Sequence, residues 1–178
     1  MEHILDEIRA TLDSGIYYPA LSATLMIPDA CGAIEYWGQA KLPRYRYVEW
    51  YDRWVLPFFF SEGVIFDGSI VYLVRNAMIH ESTGFTRGKH GFDRVMFMPP
   101  NDMIVADRTL LKNVGGTSDT IFVVTISSML TAMEYGVLAW LKDVRDDVDK
   151  RRESAMDKII QYRPKGHLPY FDGIPIVS

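Results

Sequence analysis

The chain has 178 residues, 48% of them hydrophobic, and a net charge of −4. That is enough apolar material for one packed core and too little positive charge for nucleic acid to be held by the overall field, so any such contact has to come from a local basic patch. A single cysteine, Cys31, excludes an intramolecular disulfide and a cysteine-based zinc cluster, and a reducing, cytoplasmic setting is expected.

The opening residues carry neither the basic stretch nor the apolar run of a secretion signal. Residues 2–13 instead predict an amphipathic helix, with Ile4, Leu5, Ile8 and Leu12 on one side and Glu2, Asp6, Arg9 and Asp13 on the other. Ser14-Gly15 ends it. A second helix is expected from about Tyr18 to Trp37, kinked or restarted at Pro28, which has no amide proton to give. Asp29 then sits in the first turn after the proline, where a carboxylate is favoured.

A third helix spans about Tyr45 to Phe59. Tyr47, Trp50, Tyr51, Trp54 and Phe58 recur at spacings of three and four, with Arg46, Glu49, Asp52 and Arg53 off that face. The shared face points to core packing or a subunit interface rather than a base-stacking platform. A fourth helix runs from about Ser69 to Glu81, with Ile70, Leu73, Val74, Ala77 and Met78 as its buried side. Residues 83–91 form a glycine-rich basic loop with Arg87, Lys89 and His90.

Two strands are expected next, Arg94 to Met98 and Thr120 to Thr125, paired as a small antiparallel ribbon. Between them Asp102 to Lys112 is ambiguous and Gly115-Gly116 breaks any element. The apolar stretch from Thr120 to Leu141 reads as a buried strand running into a core helix rather than a membrane span, because Glu134 and Gly136 interrupt it. That fifth helix, about Ile126 to Val144, carries the strongest periodic signal. Asp143 to Arg152 reads as a solvated helix or a helix–helix turn, Glu153 to Tyr162 as a polar helix stopped by Pro164, and 165–178 as an extended tail. The expected architecture is therefore a mainly α, single domain over 1–178. It is a bundle of about five helices with a β-ribbon inserted after the fourth.

Phosphate-binding glycine loops, His-Glu-x-x-His sets and nucleophile elbows are absent from the sequence, and the four histidines are scattered, so neither a metal nor a cofactor is expected. The carboxylates Asp29, Glu35, Glu49 and Asp52 offer a weaker, metal-dependent alternative on neighbouring helices. The chemically suggestive segment is Arg75-Asn76-Ala77-Met78-Ile79-His80. It joins a permanent cation to a group that titrates near neutrality, a pairing suited to phosphodiester cleavage. A neutral imidazole can take the ribose 2′-hydroxyl proton while a guanidinium stabilises charge on the phosphorus oxygens. On an ideal helix Arg75 and His80 lie about 140° apart, whereas Asn76 and His80 share a face. The other reading makes Arg75 the partner of an acidic residue on a neighbouring helix and leaves His80 at a helix C-terminus. The chain is then a non-catalytic binding or interaction protein, with the motif structural or holding a nucleotide or effector.

An arginine followed directly by a polar residue and then a histidine at the end of a helix, within a helical domain of this size, resembles the HEPN superfamily over residues 69–82. The resemblance implies a metal-independent endoribonuclease acting as a homodimer, often in toxin–antitoxin or phage-defence settings with an antitoxin-like partner. Carried over, Arg75 is the transition-state cation, His80 the general base or acid, and Asn76 the residue that orients the phosphate or His80. Arg87, Lys89 and His90 would contact RNA. The strand-bearing segment between His80 and Ile126 departs from the simplest members.

Overall fold

The computed structural model describes residues 1–61, 63–80, 90–100, 106–148, 150–159, 162–163 and 176–177. Helix α1 (Glu2–Asp13) buries Leu5, Ile8 and Leu12, the stripe that its spacing requires. After a turn at Gly15, where φ is +78°, α2 spans Tyr17–Glu35. It runs through Pro28 as one helix, so the expected restart does not occur. Proline removes one backbone hydrogen bond at a cost of about 3 kcal/mol. Here that cost is offset by packing, since Leu21, Leu25, Ile27, Pro28, Cys31 and Ile34 are all buried.

Helix α3 starts with Pro43 in its first turn, where a missing amide proton costs nothing, and ends at Trp54. That is earlier than the aromatic spacing predicts. Pro57 disfavours helical backbone at the residue before it, and Leu56–Phe58 form only a 3-10 turn. Tyr47, Trp50 and Tyr51 are wholly buried, so this aromatic face is core; Phe58, off the helix, is 45% exposed. Helix α4 (Gly68–His80) follows, its start capped by the Asp67 carboxylate, which accepts from the Ile70 amide at 3.0 Å.

The inserted β-structure is a three-stranded mixed sheet: β1 (Arg94–Met98), β2 (Thr109–Lys112) and β3 (Thr120–Thr125), in the order β1-β3-β2. The two strands legible in the sequence pair in parallel, Arg94 opposite Ile121 through Met98 opposite Thr125, not as an antiparallel ribbon. The antiparallel partner of β3 is β2, with Thr109 opposite Val123 and Lys112 opposite Thr120. This arrangement makes β3 central, and all but its first residue are buried. Such an unbroken apolar run is expected of a strand covered on both faces.

Helix α5 (Ile126–Asp146) leaves β3 directly. The Thr125 hydroxyl accepts from the Ser128 amide at 3.2 Å, and the Asp107 carboxylate accepts from the Thr125 amide at 2.7 Å and from the Ser128 hydroxyl at 2.5 Å. Met129, Leu130, Met133, Val137 and Trp140 of α5 are fully buried against the aromatic face of α3 and the apolar side of α2. Helix α6 (Arg151–Ile159) packs Ala155 into the same core. Two short strands, β4 (Tyr162–Arg163) and β5 (Ile176–Val177), pair antiparallel near the end, so Tyr162 lies in a strand rather than in the expected polar helix. Among the described residues no helix is long and apolar enough to cross a membrane.

Arg152 is where a sequence expectation fails most clearly. It closes a charge run read as a solvated helix or a helix–helix turn; the run does join α5 to α6, yet the Arg152 side chain is only 12% exposed. Its guanidinium donates to Glu35 on α2 at 3.0 Å, to Asp143 on α5 at 2.8 Å and to Asp147 at 2.8 Å. Burial works against the charge, but hydrogen bonds and attraction to these carboxylates outweigh it and hold the guanidinium above its ordinary pKa.

Candidate functional site

Helix α4 lies beside α2 and α3, and its Arg75 meets the residue that follows Pro28. The Arg75 Nε donates to Asp29 Oδ2 at 3.0 Å, and Nη2 reaches the same oxygen at 2.8 Å. The third nitrogen, Nη1, donates to Asn76 Oδ1 at 2.9 Å. Two of the five guanidinium hydrogens are hydrogen-bonded, those on Nε and Nη1, and the Nη2 approach adds an ion-pair contact. The arginine side chain is 20% exposed and the aspartate 29%, so the pair sits at the edge of the core rather than within it.

Three features hold Asp29 in place. The Tyr47 hydroxyl of α3 donates to the Leu25 carbonyl of α2 at 2.8 Å, one turn before Asp29. Gly32, one turn after it, lets the α3 backbone come so close that a Cβ there would lie 2.8 Å from the Arg46 carbonyl. The Tyr47 ring, edge-on to Tyr72 of α4 at 5.2 Å, ties the third helix to the same junction. At the far end of α4 the Tyr18 hydroxyl donates to the Met78 carbonyl at 3.0 Å.

Charge at this junction is mixed. Burial raises the Asp29 carboxyl above its ordinary pKa, against the pull of Arg75 and of Arg46. Burial also pushes the Tyr47 phenol well up, and the nearby Asp29 charge adds to it. Two arginines thus face one aspartate.

Of the residues singled out in the sequence, Arg75 and Asn76 come together. The backbone of His80 closes the described part of α4, five positions beyond Arg75, while its side chain lies outside what is described. Arg87 and Lys89 lie outside the described residues. His90 is half-buried with its ring 6.4 Å from that of Phe92, which stacks in turn on Phe122 of β3. The four carboxylates considered for a metal are dispersed. Asp29 holds Arg75, Glu35 holds Arg152, Glu49 pairs with Lys41, and Asp52 accepts from the Gly68 amide at 2.6 Å. Among the described residues no group of three or more potential ligands converges.

Sequence reasoning allowed for an acidic partner of Arg75 without identifying it, and it missed Tyr47 and Tyr18 as supports. The available signal was the proline before Asp29, which marks a turn of α2 placed by packing. A separate cleft of about 470 Å³, lined by Glu2, His3, Asp6, Arg145 and Glu153, shares no residue with this junction. Comparison of the chain with protein-family models, with curated proteins and with solved structures returned no match.

Proposed function

We propose that this chain is a HEPN-like, metal-independent endoribonuclease with Arg75, Asn76 and His80 at its centre. The observation that supports this most is the fixed orientation of the Arg75 guanidinium, held on two sides by Asp29 and Asn76 at the edge of the core. A cation already oriented loses little on meeting developing negative charge, and that is the catalytic use of such a group. In the proposed reaction the His80 imidazole takes the proton of a ribose 2′-hydroxyl, and the 2′-oxygen attacks the adjacent phosphorus. The bond from phosphorus to the 5′-oxygen breaks, leaving a 2′,3′-cyclic phosphate and a 5′-hydroxyl. The departing oxygen receives its proton from an acid, for which the motif of a second copy is the proposed source. Arg75 stabilises the charge on the non-bridging oxygens throughout. Arg87, Lys89 and His90 serve as RNA contacts in this reading, and a toxin–antitoxin or phage-defence role with an antitoxin-like partner belongs to it.

The same ion pair favours a second reading, in which Arg75 only fastens α4 to α2 and the chain is a non-catalytic binding or interaction protein. Purified protein incubated with RNA in EDTA separates the two. The ribonuclease reading expects cyclic-phosphate ends from the wild type and a loss of at least about 100-fold in His80→Ala. Equal background cleavage by both would overturn it. A drop in melting temperature of Arg75→Ala, with RNA untouched by every variant, would establish the second reading.

A further inference from the structure

The contacts of Arg75 decide which of its hydrogens a ligand can reach. Asp29 uses a single oxygen, Oδ2, for both Nε and Nη2, so it closes one edge of the guanidinium. Asn76 takes one hydrogen of Nη1. Nε carries only one hydrogen, so the donors without a hydrogen bond among the described residues are on Nη1 and Nη2, at the distal end of the fork. An anion bound there sits beside the Asp29 carboxylate and feels its charge as well as that of Arg75. Arg46 acts on the same carboxylate from α3. Two arginines and one aspartate sum to a single positive charge.

We propose that Asp29 is a positioning and selectivity residue: it aims the distal end of Arg75 outward and matches the junction to a singly charged phosphodiester. Doubly charged terminal phosphates and free phosphate are disfavoured. An interior linkage of a nucleic-acid strand carries one negative charge, whereas a phosphomonoester carries nearly two above its second pKa, near 6. The cations acting on Asp29 among the described residues are Arg75 and Arg46, so the second charge meets the Asp29 carboxylate. This rests on the ribonuclease reading for its substrate class, but the charge match itself is independent of cleavage.

The test uses two small anions at pH 8: a deoxydinucleoside monophosphate, with one diester and no 2′-hydroxyl to react, and a deoxynucleoside 5′-monophosphate. Binding is followed by amide chemical shifts in the wild type, Asp29→Asn and Arg46→Gln. The wild type is expected to prefer the diester. Asp29→Asn, similar in shape but uncharged, is expected to shift that preference toward the monoester by roughly tenfold. Arg46→Gln removes a positive charge without touching Arg75 and is expected to shift it the other way. In RNA cleavage Asp29→Asn is expected to lower kcat while KM stays level or falls, because the neutral amide oxygen holds the cation less firmly than the carboxylate does.

An unmoved preference in both variants overturns the proposal, and if Asp29→Asn does not fold, Arg46→Gln decides alone. A wild type that cleaves RNA while the preferences stay unmoved sinks only the charge match. A wild type that never cleaves RNA, with preferences that shift as stated, sinks the ribonuclease reading and leaves a diester-binding site.

Discussion

Replacing Arg152 by methionine removes a buried charge while keeping the length of its stem. The guanidinium and the Glu35 carboxylate are 12% and 9% exposed, and α6 reaches α2 through this pair. Deleting one partner of a buried ion pair typically costs 3–5 kcal/mol, because the other charge is stranded. Glu35 is not wholly stranded here. It still accepts from the Trp140 Nε1 at 2.8 Å and has Arg53 at 3.7 Å, and Asp143 is 40% exposed and can be solvated. The expected loss is therefore about 2–3 kcal/mol, or roughly 4–12 °C in Tm for a chain of this size. Urea unfolding followed by far-ultraviolet circular dichroism gives the loss, and fluorescence of the four tryptophans, Trp140 among them, gives a second readout. Glu35→Gln provides the second corner of a double-mutant cycle, and the pair is expected to couple by at least about 1 kcal/mol. If Arg152→Met lies within about 0.5 kcal/mol of the wild type, or the two losses simply add, the buried cluster does not hold α6.

Gly136→Ala tests close packing of α5 on the end of α3. Alanine gains about 1 kcal/mol in helix propensity, but its Cβ would lie 2.8 Å from the Trp54 carbonyl and 2.8 Å from a Val55 methyl. A net loss of roughly 1–3 kcal/mol is expected in thermal unfolding, and an equal or higher Tm would refute the contact. Alkaline titration tests the aromatic core. Burial, reinforced by the hydrogen bond to Glu49, raises Tyr36 to about 12, and burial raises Tyr47 and Tyr51 well above the ordinary value of 10.0. The folded chain keeps these phenols neutral while the unfolded chain ionises them near 10.0, so their contribution is whole below that pH and is lost as pH rises, for Tyr36 between 10.0 and about 12. Tyrosinate absorbance should show these three of the ten tyrosines lagging behind the rest; a single transition near the ordinary value, without unfolding, would contradict it.

Elements whose information is local were legible in the sequence. The apolar spacing of α1 gave its bounds, and the runs Arg94–Met98 and Thr120–Thr125 gave β1 and β3 to the residue. Their relative direction was not legible, because alternation and burial are the same for parallel and antiparallel pairs. An unbroken apolar β3 was the one hint of a central strand. Strand β2 was hidden for another reason. It is bracketed by Arg108 and Asn113, at φ of +51° and +58°, a conformation that asparagine favours but that nothing about an arginine announces. Arg152 was misread because its partners are 117, 9 and 5 residues away, and nothing in a local charge run says that distant carboxylates converge on one member. The candidate site was legible as a motif and not as a place. Arg75 and Asn76 are neighbours in sequence, but Asp29 lies 46 residues away and is brought in by the path of α2.

Helix α2 supplies both acidic anchors, Asp29 and Glu35, and each holds an arginine from a later helix. What separates the two is saturation rather than strength. Glu35 is nearly inaccessible, and it shares Arg152 with two more carboxylates and itself accepts from Trp140, so little of that cluster is left to offer a ligand. The pair at Asp29 is more than twice as exposed on the acidic side, and its arginine hydrogen-bonds through only two of five hydrogens among the described residues. A fold that needed only a fastener would gain more from the first arrangement, in which four of the five guanidinium hydrogens are bonded. The distal end of Arg75, at the edge of the core, can be solvated, so its unfilled donors cost little and are open to a ligand under the proposed reading. That difference, between two ion pairs on one helix, is the physical ground for looking for chemistry at Arg75 and for stability at Arg152.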